Sequence, residues 1–190
     1  MCTLLTNLML QGVVSILDQE HCDKVESLWD ELEREFGLKS AAAAYPHFSY
    51  QVVERYDVQW VKDTLTRLTH SAAPFNVHTS GLGIFTGDSP TLYITVARSV
   101  YLTKFHSHLW KRLSKTGRGI HTHHYGPDNF VPHITLAAGD LTLEQLPEAV
   151  KLLGSRSFNW NIHIDNVALV LDAQGDRDQW IRYPLQGTPE

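Results

Sequence analysis

Pro46-His47-Phe48-Ser49-Tyr50 and Pro132-His133-Ile134-Thr135-Leu136 share one pattern: proline, histidine, apolar residue, hydroxyl, apolar residue. Each lies in a run where apolar and polar residues alternate, the period of a half-buried strand. Side chains at i and i+2 of a strand project from one face. His47 and Ser49 therefore share a face, as do His133 and Thr135, while Phe48 and Ile134 point the other way into a core. One such tripeptide carries little information. Two of them, in corresponding parts of one chain, predict a site built from a pair of His-hydroxyl units.

Outward from these strands, the periodicity predicts a strand over 8–17 and a helix over 18–36, capped by Asp18 and stopped by Gly37. Residues 41–44 read as a loop or a short helical turn. After the first His strand (46–55), Asp57 caps a second helix to about 69. Residues 75–85 and 91–97 form a hairpin around the turn chemistry of 86–90. Ser99 caps a third helix that Gly117 ends, and a Gly- and His-rich loop over 117–129 leads to the second His strand (130–138). Thr142 and Gln145 form a capping box for a fourth helix ending near 154. Three strands near 158–164, 167–171 and 179–183 close the chain, with the last turn at 173–176.

The order helix, His strand, helix, strands occurs twice, in pseudo-repeat halves of about 18–97 and 99–183. The caps Asp18 and Ser99, the caps Asp57 and Thr142, the histidines His47 and His133, and Phe75-Asn76 with Phe158-Asn159 recur at offsets of 81 to 86 positions. Related halves facing each other bring their equivalent strands together. The expected fold is α+β, a bilobal duplicated unit over 1–190. Two antiparallel-sheet lobes carry helices outside and enclose a cleft.

Composition narrows the function classes. A formal net charge of −5 over 190 residues argues against a broad nucleic-acid-binding surface and leaves room for a small anion held locally. Two cysteines, Cys2 and Cys22, have neither metal-type nor disulfide-framework spacing, which points to a reducing, cytoplasmic setting. The apolar N-terminal stretch has no leading positive charge and reads as a strand, not a signal or membrane segment.

Paired His-x-Ser/Thr strands in a duplicated α+β chain of this length resemble the 2H phosphoesterase superfamily, which includes 2′-5′ RNA ligase-like proteins and 2′,3′-cyclic nucleotide phosphodiesterases. The second motif, from Phe130 to Leu136, matches closely, whereas Ser49 stands where threonine is commoner in the first. The resemblance implies His47, Ser49, His133 and Thr135 as the active residues. It also implies a cyclic nucleotide or an RNA terminus with a 2′,3′-cyclic phosphate as the partner, with no cofactor, metal or stable protein partner. RNA ligase-like members often carry a basic residue after the second motif; here Ala137-Ala138-Gly139-Asp140 follows. That departure favours hydrolysis over 2′-5′ ligation, and a non-catalytic nucleotide or RNA-end binder is the other alternative.

The residues suit that chemistry on their own terms. Opening a cyclic phosphate takes a base for the attacking water and an acid for the leaving sugar oxygen, and an imidazole fills either role near neutral pH. Hydroxyls beside the imidazoles can donate to the phosphoryl oxygens. Tyr125 and Phe130, just before the second motif, are candidates to stack on a base. His121-Thr122-His123-His124 is the rival signal, since alternating histidines can bind zinc or nickel, but no local Asp, Glu or Cys completes a ligand set and a solvated loop is expected. Between Lys104 and His124 the chain has basic residues and no acidic one. Some of these cations are expected on the rim of the cleft.

Overall fold

The computed structural model describes residues 10–172 and 177–188. Its strands are β1 Gln11–Ile16, β2 His47–Arg55, β3 Phe75–Phe85, β4 Thr91–Val96, β5 Arg118–Ile120, β6 His133–Ala137, β7 Asn161–Ile164, β8 Asn166–Val170 and β9 Trp180–Pro184. The helices are α1 Gln19–Phe36, α2 Val58–Ser71, α3 Val100–Leu113 and α4 Leu146–Leu153, with a 3-10 turn at Ala41–Ala43. The start of the first expected strand, residues 8–9, and the turn at 173–176 lie outside the described residues. None of the described helices is long and apolar enough to cross a membrane.

Helix ends follow the local chemistry. Asp18, Asp57 and Ser99 each accept the backbone N–H three residues on, which satisfies a donor the first turn leaves open. Gly37 closes α1 at φ 74°, a conformation that an L side chain resists. Thr142 and Gln145 exchange the expected pair of bonds ahead of α4.

The strands form two antiparallel sheets, ordered β5-β2-β1-β8-β9 and β6-β4-β3-β7. Their boundary differs from the pseudo-repeat halves 18–97 and 99–183. The second sheet takes its strands from the middle of the chain, and the first takes both ends plus β5, a strand inside the segment expected to be loop. Helices cross over as well: α1 packs on β6 of the second sheet, while α3 and α2 pack on β2 and on β8 and β9 of the first. This exchange ties the lobes together and sets β2 beside β6.

β8 is buried along its whole length, and a polar network anchors β1 to it. The Asn166 side chain accepts from the Ile16 N–H at 3.1 Å and donates to the Ile16 carbonyl at 2.8 Å. Ser15 Oγ bonds the Asn166 carbonyl and the Tyr50 hydroxyl. Ile16 is the cross-strand partner of His47, so this network sits directly behind the first motif. Asn166→Ala leaves a buried N–H and a buried carbonyl unpaired. It should lower stability by about 2–4 kcal/mol in chemical denaturation; a loss under about 0.5 kcal/mol would show the network to be dispensable.

Candidate active site

The two His strands are built alike. Each histidine follows a proline, which holds the residue before it in extended backbone. His47 Nδ1 donates to the Tyr45 carbonyl at 2.7 Å, and His133 Nδ1 donates to the Val131 carbonyl at 2.7 Å. A carbonyl only accepts, so Nδ1 carries the hydrogen in both rings and Nε2 is left with its lone pair. The proline carbonyls are tied in parallel, Pro46 by the Leu17 N–H and Pro132 by the Val96 N–H. Phe48 and Ile134 are fully buried on the opposite faces. Ser49 and Thr135 are half-buried, and neither hydroxyl is engaged by another described residue.

Aromatic rings wall the site on both sides. Trp180 meets the His47 ring edge-on at 5.1 Å, and Tyr45 packs against Trp180. Around His133, Phe85 lies edge-on at 4.9 Å, Tyr93 at 5.2 Å and Tyr125 at 6.0 Å. His124 stacks on Phe85 at 3.6 Å with a backbone φ of 66°, in the left-handed region non-glycine residues seldom adopt. Nothing local in the sequence marks Trp180, Phe85 and Tyr93 as site residues, because pairing between distant strands delivers them, whereas His124 belongs to the His-rich loop that the sequence does single out.

Tyr125 stands beside His133, but Phe130 does not line the site. Only 1% of it is exposed, and its ring stacks on His106 at 3.6 Å beneath the sheet. No base can reach it. The basic stretch is also placed differently from expectation: Lys111, Arg112 and Lys115 face a groove between α2 and α3. Tyr50, on the face of β2 opposite Ser49, packs against Phe105 of α3, so that groove lies behind the sheet, away from the cleft. His123 and His124 pack ring to ring, and among the described residues no group of three or more His, Cys, Asp or Glu is arranged to hold a metal ion.

Burial lowers the pKa of His47. His133 is lowered to about 4, first by burial and then by the charges of His47 and His124, against the opposing bond to Val131. The charge of His47 therefore reaches His133, and His133 enters neutral pH as a base with a free Nε2. The unfolded chain binds the His133 proton near pH 6.5 and the folded chain only near 4, so stability falls as pH drops through that window. His133→Asn should flatten the decline in unfolding free energy between pH 6.5 and 4. An unchanged slope would mean that His133 is not held neutral by the fold.

Comparison with known proteins agrees with this architecture. No curated protein matches the chain in sequence. Among solved structures, TT0787 of Thermus thermophilus superposes with a TM-score of 0.61 at 16% identity, covering 95% of this chain and 100% of that one. A crystal structure described as a phosphoesterase gives a TM-score of 0.53 at 13% identity, covering 93% and 95%. At such identities these likenesses speak for the fold alone. A family model described as the 2′-5′ RNA ligase superfamily matches residues 18–176, a span that contains both His strands and the hairpin carrying Phe85 and Tyr93. The chain belongs to that superfamily.

Proposed function

We propose that the protein is a metal-independent phosphodiesterase that opens 2′,3′-cyclic phosphates of nucleotides or RNA ends. The observation that carries this reading is the matched pair of imidazoles, each with Nδ1 tied to a carbonyl and each with Nε2 left free. In the reaction, water attacks phosphorus while one Nε2 takes its proton. The bond from phosphorus to the 2′ or 3′ oxygen breaks, and the other ring, as imidazolium, protonates that oxygen. Burial holds both rings below their ordinary pKa. An incoming phosphodiester anion opposes that effect and lets one ring hold a proton. Ser49 and Thr135 donate to the phosphoryl oxygens, and Tyr125 with Phe85 offers the base an aromatic wall.

Asp140 supports hydrolysis over ligation. Its carboxylate follows the second motif and accepts the backbone N–H groups of Lys39 and Ser40 at 2.8 Å each. The carboxylate is committed to joining two loops and supplies no cation for a second RNA end. A reducing, cytoplasmic location fits the two widely spaced cysteines.

The test is a panel of 2′,3′-cyclic nucleotides and 2′-5′-linked dinucleotides in EDTA, with products identified by phosphorus NMR. Ring-opened monoester is expected, and His47→Ala and His133→Ala should each lower turnover by about 10²–10⁴-fold. Full activity in both variants would sink the assignment. Cleavage or formation of 2′-5′ linkages without cyclic-phosphate opening would replace it with the ligase reading. Nucleotide-dependent thermal stabilisation without product would leave a binding protein.

A further inference from the structure

The reaction leaves one strongly charged surface unused. Between α2 and α3, on the far side of the sheet from His47, runs a groove of 380 Å³ lined by Arg67, Lys111, Arg112 and Lys115. Lys115 also lines an adjoining hollow of 510 Å³ whose other cations are Arg55 and Arg118. Six of the sixteen Lys and Arg residues of an acidic chain thus converge on one surface.

Ordinary packing does not account for the cluster. None of the six is in an ion pair among the described residues. Among the described residues Asp57 is the one carboxylate lining the two hollows, and it caps α2 through the Trp60 N–H. Arg55 and Arg118 are direct cross-strand partners, a like-charge pairing that costs stability. The helix dipole favours Lys111 and Arg112 in the last turn of α3, but Arg55, Arg67 and Arg118 come from other elements.

Phosphate oxygens are anionic acceptors that guanidinium and ammonium groups attract and hydrogen-bond, so a concave cluster of this kind fits a phosphate-bearing ligand.

We propose that this paired groove is a binding track for the phosphate backbone of an RNA strand whose reactive end occupies the cleft. The proposal rests on the cyclic-phosphate reading above. The half-buried Trp60 lines the same groove, and an aromatic side chain among cations is the combination that single-stranded nucleic acid uses. The concave shape suits a strand better than a flat anionic membrane. His47 and Arg55 stand at opposite ends of β2, eight residues apart and so about 26 Å. A strand passing from the cleft round the β5 edge therefore needs roughly eight stacked nucleotides, and a dinucleotide does not reach.

The test measures binding apart from turnover. A protein carrying His47→Asn and His133→Asn is titrated by fluorescence anisotropy with a labelled RNA of about 16 nucleotides and with a dinucleotide. The long RNA should bind about tenfold or more tightly, with strong salt dependence. Adding Arg67→Glu, Lys111→Glu and Lys115→Glu should remove that length advantage and reduce the log–log salt slope by about 2. Arg67, Lys111 and Lys115 are exposed, so the triple variant should keep the melting temperature of its parent; this separates ligand binding from folding. The His108 ring is the internal reporter, since burial and then Arg112 and Lys111 hold its pKa down. By NMR its pKa should rise when the long RNA binds. Equal affinities for both RNAs, or an unchanged slope in the triple variant, would overturn the proposal even if cyclic phosphates are turned over. Binding to phosphatidylserine vesicles but not to RNA would overturn it in favour of a membrane surface.

Discussion

The hydrogen bond from imidazole Nδ1 to the carbonyl two residues earlier is the constraint on which the site depends. A strand histidine alone can rotate about two side-chain bonds and exchange tautomers. Here the preceding proline fixes extended backbone, the carbonyl before it accepts Nδ1–H, and the proline's own carbonyl is held by the neighbouring strand. Three local restraints thus present Nε2 as a lone pair in a set direction. The same arrangement occurs at His47 and His133, so the lobes contribute chemically equivalent groups. On the proposed reaction, either ring could then take the proton or give it, according to how the substrate lies between them.

Around that core, packing acts mainly through water exclusion. Trp180 and Tyr45 close over His47, while Phe85, Tyr93 and Tyr125 surround His133. Apolar walls penalise imidazolium in the free protein and strengthen its attraction to an anion once one is bound. Arg177 shows how the fold keeps a permanent charge out of this balance. Its guanidinium lies over the Tyr45 ring, pairs with Glu26 and donates to the carbonyls of Ala42 and Ala44. It stiffens the wall behind His47 while its charge is already answered.

What the sequence disclosed follows the range of the responsible interactions. Helix starts, Gly37, the capping box and the His-hydroxyl spacing are set within a few residues and could be read directly. Phe130 could not, because its place beneath the sheet depends on His106 from a helix well before it. Trp180, Phe85 and Tyr93 reach the site only through strand pairing, and β5 is three residues long, with Gly117 before it and Gly119 at its centre. The division of the lobes was hidden for a similar reason. A repeat in sequence reports the order of elements, whereas the sheets are defined by which strands pair, and here the chain's ends complete one sheet around a middle segment that forms the other.

One backbone irregularity lets a single strand serve two surfaces. By alternation alone, Arg55 belongs on the face of His47 and Ser49. The register against β1 slips at Tyr50, where Val14 faces Ser49 but Val13 faces Gln51. That extra residue is a β-bulge, which inverts the facing of everything beyond it. Gln51 and Val53 thereby join Phe48 and Tyr50 against the helices: Gln51 bonds Ser114 and Tyr56, and Val53 is fully buried. Arg55 follows them to the outer side, beside Arg118. Without the bulge, Gln51 and Arg55 would extend the polar row into the cleft, placing a fixed cation on the strand that carries the histidine. With it, the cleft side of β2 keeps an imidazole and a hydroxyl, and the arginine is delivered to the opposite surface.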